Sequence, residues 1–283
     1  MKKVIAIALT LCLALTLLAG CTGNEPKTTE PQETKGTENT ENTEAAAFTT
    51  IEEGKLIMGT NAAFPPYELV ADGEGVNGTG FEGIDVEIAL AIAEKLGLEL
   101  VIDDQDFDAA LTAVQTGKCD CVLAGLTYTE ERDEIMDFTT SYAKGVQVVI
   151  VKEGSEIATI DDLANAKLIG TQRGTTGYIY CSDTVENGGY GEDHVAAYDN
   201  GAMAVQALLN GQIDCVVIDN NPAQEYVAQN EGLKILDTAF TEEDYCIAVG
   251  EGNTALQNAI NTALEELIAD GTVQTILDKY IKA

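Results

Sequence analysis

One arginine follows a short apolar run in a segment rich in threonine. Residues 125–132 read Gly-Leu-Thr-Tyr-Thr-Glu-Glu-Arg, so Arg132 stands at the third helical position after Thr129, a natural N-cap. A cation at the positive end of a helix dipole is unfavourable unless an anion lies nearby. A guanidinium beside free backbone N–H groups binds carboxylates well. The alternative is an ion pair with a surface acid. The segment therefore predicts a carboxylate receptor at Arg132.

Two further segments follow predicted strands. Residues 171–177 read Thr-Gln-Arg-Gly-Thr-Thr-Gly. Hydroxyl and N–H groups of Gln172, Thr175 and Thr176 could bind an anion here. The alternative is an ordinary loop. They lack the Gly-Lys-Ser/Thr ending of a nucleotide-binding loop. Asp219 ends another strand and either accepts an ammonium or caps the next helix. Two carboxylate receptors and one ammonium acceptor together predict a site for a zwitterion.

Aromatic residues lie in comparable positions. Phe64 and Tyr67 flank two prolines in a loop directly after the first predicted strand, next to Asn61, and Phe107 opens a helix after Asp106. Such rings would contact a ligand side chain, or they would belong to the core.

Alternating strands and helices must position these residues. Apolar runs typical of buried strands occur at 55–59, 98–102, 121–125, 146–151, 167–170, 215–218 and 245–249. Helical patterns between them stop at Gly97, Gly117 and Gly211. This alternation predicts an α/β fold with open, largely parallel sheets flanked by helices.

Two stretches, 113–122 and 207–216, have similar sequences. Each reads as a helix end, a glycine, a turn and then Asp-Cys-Val at the start of a strand. The similarity indicates two lobes of like construction, or else a coincidence between two loops that use the same turn chemistry.

The N-terminus has the character of an export signal. Lys2 and Lys3 precede an apolar run over 4–18, and Leu-Leu-Ala-Gly then leads to Cys21. This string resembles the lipobox of bacterial lipoproteins, so we predict a signal peptide over 1–20, lipidation of Cys21 with a palmitate-type anchor, and a disordered tether over 21–47. The alternative is a plain signal peptide and a secreted product.

Composition narrows the function classes. The chain has 283 residues and a formal net charge of -33, which disfavours nucleic-acid partners. Its single histidine, His194, leaves little basis for a His-centred triad or a multi-His metal site, and we expect no cofactor or metal. Beyond Cys21, five irregularly spaced cysteines predict small buried side chains and no disulfide framework.

In this order, the motifs resemble those of the extracellular solute-binding proteins of polar amino-acid ABC importers, which include glutamine-, histidine- and arginine-binding proteins. The likeness runs from about residue 55 to the C-terminus and rests on segments 61–67, 83–86, 125–132, 137–138, 173–176 and 214–219. It implies a two-lobed periplasmic-binding fold with two hinge crossings, near 142–146 and 242–246. The expected first lobe comprises 48–142 and 246–283, and the second comprises 143–245.

The resemblance also implies roles. Arg132 and the loop at Thr175 and Thr176 would hold the ligand carboxylate, with Thr127 and the backbone at Gly125 assisting. Leu126, between those two, is also expected at the ligand. Asp219 would hold the ligand ammonium, and Phe64 and Phe107 would enclose the ligand side chain. Many members carry Asp where this chain has Asn61, which argues against a strongly cationic ligand and leaves glutamine, other neutral polar or acidic amino acids open.

The function expected from the resemblance is binding without catalysis. A monomer, lipid-anchored outside the cytoplasm, would deliver a free polar L-amino acid to the transmembrane subunits of an ABC permease. Two alternatives are a cyclohexadienyl-dehydratase-like enzyme on the same fold and a ligand-sensing module for a separate receptor.

Overall fold

The computed structural model describes residues 48–281, so the predicted signal peptide, the tether and Cys21 lie outside the described residues. The predicted α/β class is confirmed. The strands are β1 (Lys55–Thr60), β2 (Ala63–Phe64), β3 (Glu68–Val70), β4 (Phe81–Glu82), β5 (Glu99–Asp104), β6 (Cys121–Val122), β7 (Met136–Lys152), β8 (Ile169–Gln172), β9 (Val195–Tyr198), β10 (Cys215–Asp219), β11 (Leu233–Ile235) and β12 (Thr241–Gly250).

Helices lie between most of these strands. They are α1 (Ile84–Leu96), α2 (Phe107–Gln115), α3 (Glu130–Asp133), α4 (Thr176–Ser182), α5 (Gly201–Leu209), α6 (Asn220–Gln229), α7 (Thr254–Ala269) and α8 (Thr272–Tyr280). Short 3-10 turns occupy Val76–Gly78, Ile160–Asn165, Val185–Asn187 and Glu192–His194. The predicted glycines at 97, 117 and 211 follow α1, α2 and α5 with φ of 71°, 67° and 72°, a backbone region that suits glycine.

The main sheet has two parts joined by two long strands. Its order is β5-β1-β6-β12-β7-β10-β8-β9, with β11 added on β7. Strand β1 is parallel to β5 and β6, and β8 is parallel to β9 and β10, whereas β7 and β12 run antiparallel to each other. Strand β12 pairs antiparallel with β6 of the first group, and β7 pairs antiparallel with β10 of the second. Because β7 and β12 also pair with each other, they join the two parallel groups into one sheet.

Strands β7 and β12 are longer than the sequence predicts. The apolar runs predicted strands at 146–151 and 245–249, but β7 begins at Met136 and β12 at Thr241. The additional residues are mostly polar or half-buried, and pairing between β7 and β12 satisfies their backbone groups. Apolar runs mark only the part of a strand that is buried on both faces.

The core lies between the sheet and its helices. Ile88 and Ile92 of α1 are buried with Leu264 of α7, and burying each such side chain contributes about 1.5–3 kcal/mol. The predicted role of the cysteines is confirmed, since Cys119, Cys121, Cys181, Cys215 and Cys246 are all buried and free. Over residues 48–281, we find no helix with the length and apolar character needed to cross a bilayer.

Candidate functional site

Ten of the twelve predicted ligand-binding residues line one cavity of about 320 Å³. The ten residues come from β2, from the ends of β8 and β10, from the loops that follow β1 and β6, and from the starts of α2, α3 and α4. They are Asn61, Phe64, Phe107, Gly125, Thr127, Arg132, Gln172, Thr175, Thr176 and Asp219.

Tyr67 and Leu126 do not line the cavity. Tyr67 is buried behind Phe64, and its hydroxyl accepts a hydrogen bond of 2.8 Å from the Asn221 side chain. Leu126 packs in an apolar cluster, and its carbonyl accepts a hydrogen bond from the Cys246 amide. Both residues therefore support the wall from behind.

Arg132 is buried, and its guanidinium is held by backbone carbonyls. Thr129 caps α3 as predicted, with its side chain accepting from the Arg132 amide at 3.1 Å. The guanidinium donates to the Thr127 carbonyl at 2.6 Å and to the Gly174 carbonyl at 3.0 Å. Burial lowers the pKa of Arg132 to about 10, which leaves it a cation at neutral pH. Among the described residues it forms no ion pair with a surface acid.

The loop before α4 contributes hydroxyls and an amide. Thr175 donates to the Gln172 carbonyl at 2.8 Å and caps α4 by accepting from the Tyr178 amide at 3.3 Å. The Gln172 side chain donates to the Asn61 side chain at 3.1 Å. Thr176 is buried at the first position of α4. Segments far apart in sequence thus meet across the cavity.

Asp219 is a buried carboxyl at the end of β10. It precedes α6, but its side chain makes no capping hydrogen bond and instead accepts from the Tyr245 hydroxyl. Burial, together with the nearby Glu243 carboxyl, raises the pKa of Asp219 to about 7. The carboxyl is therefore directed at the interior of the site and does not act as a helix cap.

Two aromatic rings form walls. The Arg132 guanidinium lies 5.7 Å from the centre of the Phe107 ring, within cation-π range. Gly125 has φ of 51°, and a Cβ at this position would come within 2.6 Å of the Phe64 ring. Glycine is therefore required where the β6 loop approaches Phe64.

Sequence reasoning missed two cavity residues, Ala124 and Glu68. Glu68 follows Tyr67 directly, so an acid at the end of the aromatic-proline segment was the available signal. Its side chain is fully buried, and neither carboxyl oxygen accepts a hydrogen bond from a donor group. Within the described range, no cluster of His, Cys, Asp and Glu has the geometry to hold a metal ion.

Comparison with known proteins identifies the family. The family model for bacterial extracellular solute-binding proteins, family 3, matches residues 56–283. This chain belongs to that family. The family 3 fold is the two-lobed periplasmic-binding α/β fold, and its members act outside the cytoplasm.

Individual relatives of this family 3 protein are named as amino-acid-binding proteins. A probable histidine-binding protein of Neisseria gonorrhoeae is 31% identical over 99% of this chain and 96% of its own length. The glutamine-binding protein GlnH of an ABC transporter in Bacillus subtilis is 30% identical over 100% of this chain and 98% of its own. The structure of an ancestral arginine-binding protein bound to arginine matches with a TM-score of 0.72 at 39% identity, covering 81% of this chain and 98% of that one.

Proposed function

We propose that this protein captures a free polar L-amino acid outside the cell and delivers it to the transmembrane subunits of an ABC importer. The observation that carries the proposal is that buried Arg132 and buried Asp219 line the same cavity. A cation and a carboxyl in the same cavity match the two charges of an amino-acid head group. The names of the relatives agree with this class of ligand.

Arg132 would bind the ligand carboxylate. A guanidinium has five N–H donors, and two are used on the carbonyls of Thr127 and Gly174, which leaves three. Because the used donors hold the group in place, the free ones are oriented before the ligand arrives. Thr127, Thr175 and Thr176 line the same cavity and would add hydroxyl or amide donors.

Asp219 would bind the ligand ammonium. Its carboxyl is buried, and a cation at this position would replace the proton that burial favours. Phe64 and Phe107 would enclose the ligand side chain, and the amides of Asn61 and Gln172 would contact its polar end.

Capture would involve closure of two lobes. We propose that they comprise 48–142 with 246–283, and 143–245, so that β7 and β12 form the hinge. Contacts across this division include the Arg132 to Gly174 hydrogen bond and the Tyr226 hydroxyl, which donates to the Ala63 carbonyl at 3.0 Å. Such contacts would stabilise the closed arrangement around a ligand.

We further propose that the protein works as a monomer tethered to the membrane by lipid on Cys21. The sequence before Cys21 supports this part, and the polar stretch over 22–47 would let the binding body move near its permease. If a Cys21→Ala variant remained with the membrane fraction, the anchoring part of the proposal would be wrong.

The experiment that tests binding is thermal unfolding of residues 48–283 against each of the twenty amino acids. The protein is first denatured and refolded to remove any carried-over ligand. A ligand that binds only the native state must raise the melting temperature. A rise with one or a few polar amino acids is expected. A cooperative sample that responds to none of them would contradict the proposal.

A further inference from the structure

Glu68 is a carboxyl that the proposed head-group site does not use. It lines the cavity, is fully buried, and neither of its two oxygens accepts a hydrogen bond from a donor group. Arg132 is the only basic residue among those that line the cavity. If the ligand carboxylate takes Arg132 and the ligand ammonium takes Asp219, Glu68 remains without a partner of opposite charge. A buried carboxylate in this position is costly unless it is neutralised.

The neighbour of Glu68 is a second buried carboxyl. Asp85 of α1 accepts at one oxygen from the Gly125 amide at 2.7 Å and from the Tyr142 hydroxyl at 2.9 Å. Its other oxygen has no donor from any other group, and the two carboxyls lie within hydrogen-bonding range of each other. Two adjacent buried carboxylates do not both stay ionised, so they share a proton.

The hydrogen bonds decide which carboxyl carries the proton. The donors at Gly125 and Tyr142 stabilise Asp85 as the anion, and Glu68 has no such donors. Burial raises the pKa of Glu68 well above its ordinary value, and the charge of Asp85 acts in the same direction. Burial also raises the pKa of Asp85, to about 6, but its donors at Gly125 and Tyr142 act against that rise. The contacts therefore favour Glu68 as the protonated member of the pair, with the free oxygen of Asp85 as its acceptor.

We propose that Glu68 determines ligand selectivity by exchanging this proton: it stays protonated beside a neutral ligand side chain and releases the proton to solvent when a cationic side chain binds. The charge balance is closed, because one positive charge enters the cavity and one proton leaves it. This inference rests on the proposed amino-acid binding. It also revises the expectation, based on Asn61 alone, that the ligand is not strongly cationic. The negative charge that Asn61 lacks is available at Glu68.

Other titratable groups face Glu68 and must be separated from it. They are Asp85 on α1, Asp104 on β5, Asp219 after β10, and the hydroxyls of Tyr67, Tyr142 and Tyr226. Asp219 also exchanges a proton when an ammonium binds, but it does so for every amino acid. A pair of ligands with the same head group and different side-chain charge therefore isolates the contribution of Glu68.

L-arginine and L-citrulline form this pair, since citrulline is a neutral analogue of nearly the same shape. We would measure both affinities from pH 5 to 8.5 by calorimetry, in buffers of different ionisation enthalpy that count the protons released. Arginine should release about one more proton than citrulline. Below the pKa of Glu68, the arginine-to-citrulline affinity ratio should rise about tenfold per pH unit.

The decisive variant is Glu68→Gln, because an amide resembles the protonated carboxyl and still donates to Asp85. It should abolish the additional proton release and lower arginine affinity at pH 8 by tenfold or more, with citrulline affinity unchanged within threefold. Glu82→Gln is the matched control, since Glu82 is exposed on the strand paired with β3. A melting temperature for each variant establishes that it folds.

The outcomes separate this inference from the proposed function. If amino acids bind but arginine gains nothing over citrulline as pH rises, the role of Glu68 is overturned and the binding function stands. Unchanged proton release in Glu68→Gln likewise overturns it. If no amino acid binds the refolded protein, the proposed function fails first, and this inference fails with it.

Discussion

The two similar stretches, 113–122 and 207–216, have the same construction in three dimensions. In each, a glycine with positive φ follows a helix, at Gly117 and Gly211. In each, the next aspartate binds the backbone at the start of a neighbouring strand. Asp120 accepts from the amides of Ile51 and Ile57, both at 2.8 Å, and Asp214 accepts from those of Lys167 and Leu168 at 2.7 and 3.1 Å.

The two segments differ in the residues that come after this shared construction. Strand β6 leads into a loop and a short helix that bring Arg132 to the cavity, whereas β10 ends directly in Asp219. One framework thus delivers a cation and the other a carboxyl to the same space. The comparison shows that the glycine and aspartate of each repeat maintain the scaffold, and that the residues beyond the strand carry the chemistry.

The largest expected effect is the loss of ligand affinity when Arg132 is removed. Arg132→Ala would leave a ligand carboxylate in a dry cavity without its cation, and we expect a loss of about 2–5 kcal/mol in binding free energy. Calorimetry with the ligand found by thermal unfolding measures this loss.

Arg173→Ala is the matched control, because Arg173 is exposed and its nearest acid, Asp199, is 3.9 Å away. The control should bind like the parent. If the affinity of Arg132→Ala for the ligand stayed within threefold of that of the parent, Arg132 would not be the residue that binds the ligand carboxylate.

If the aspartates of the two stretches only maintain the scaffold, removing either one should lower the stability of the protein and leave ligand affinity unchanged. Asp120→Ala should cost about 2–3 kcal/mol of unfolding free energy, because two amides lose a charged acceptor at a buried site. Asp214→Ala should cost about 1–2 kcal/mol, since Asp214 is only half-buried. Denaturant unfolding measures both values.

Asp72→Ala, at an exposed position, provides the baseline. If folded Asp120→Ala lost more free energy of ligand binding than free energy of unfolding, Asp120 would contribute to the binding site and not only to the scaffold.

Much of this framework was predictable from the sequence. The strand and helix alternation and the glycines after α1, α2 and α5 follow from apolar runs and turn residues. Arg132, Thr175, Thr176 and Asp219 stand out as polar groups that follow strands, and the family resemblance adds Gly125 and Thr127. These signals are local, and parallel strands bring their carboxyl ends together at one edge of a sheet.

The rest depended on packing between distant segments. The aromatic-proline segment points to both Tyr67 and Glu68, but its sequence does not show that Glu68 lines the cavity whereas the Tyr67 hydroxyl contacts Asn221. The interaction of Glu68 with Asp85 joins β3 to α1, and Asp219 meets Tyr245 of β12. The long polar part of β7 likewise forms because β12 lies beside it. Such pairings are set by the tertiary fold.

The last prediction concerns Asp219, the carboxyl that follows the stretch 207–216, and its readout is the slope of stability against pH. Burial raises the pKa of Asp219 to about 7, above its value in the unfolded chain, so the native protein holds a proton that the unfolded chain has lost. Between about pH 4 and pH 7 the stability of the ligand-free protein should therefore fall as pH rises, by at most about 1.4 kcal/mol per unit from this group. Above pH 7 its contribution should level off. Asp219→Asn, which cannot titrate, should flatten this part of the profile in denaturant unfolding at a series of pH values. Asp199→Asn, an exposed change, should leave the slope intact. A slope equal in the parent and Asp219→Asn would mean that Asp219 is already ionised in the empty cavity.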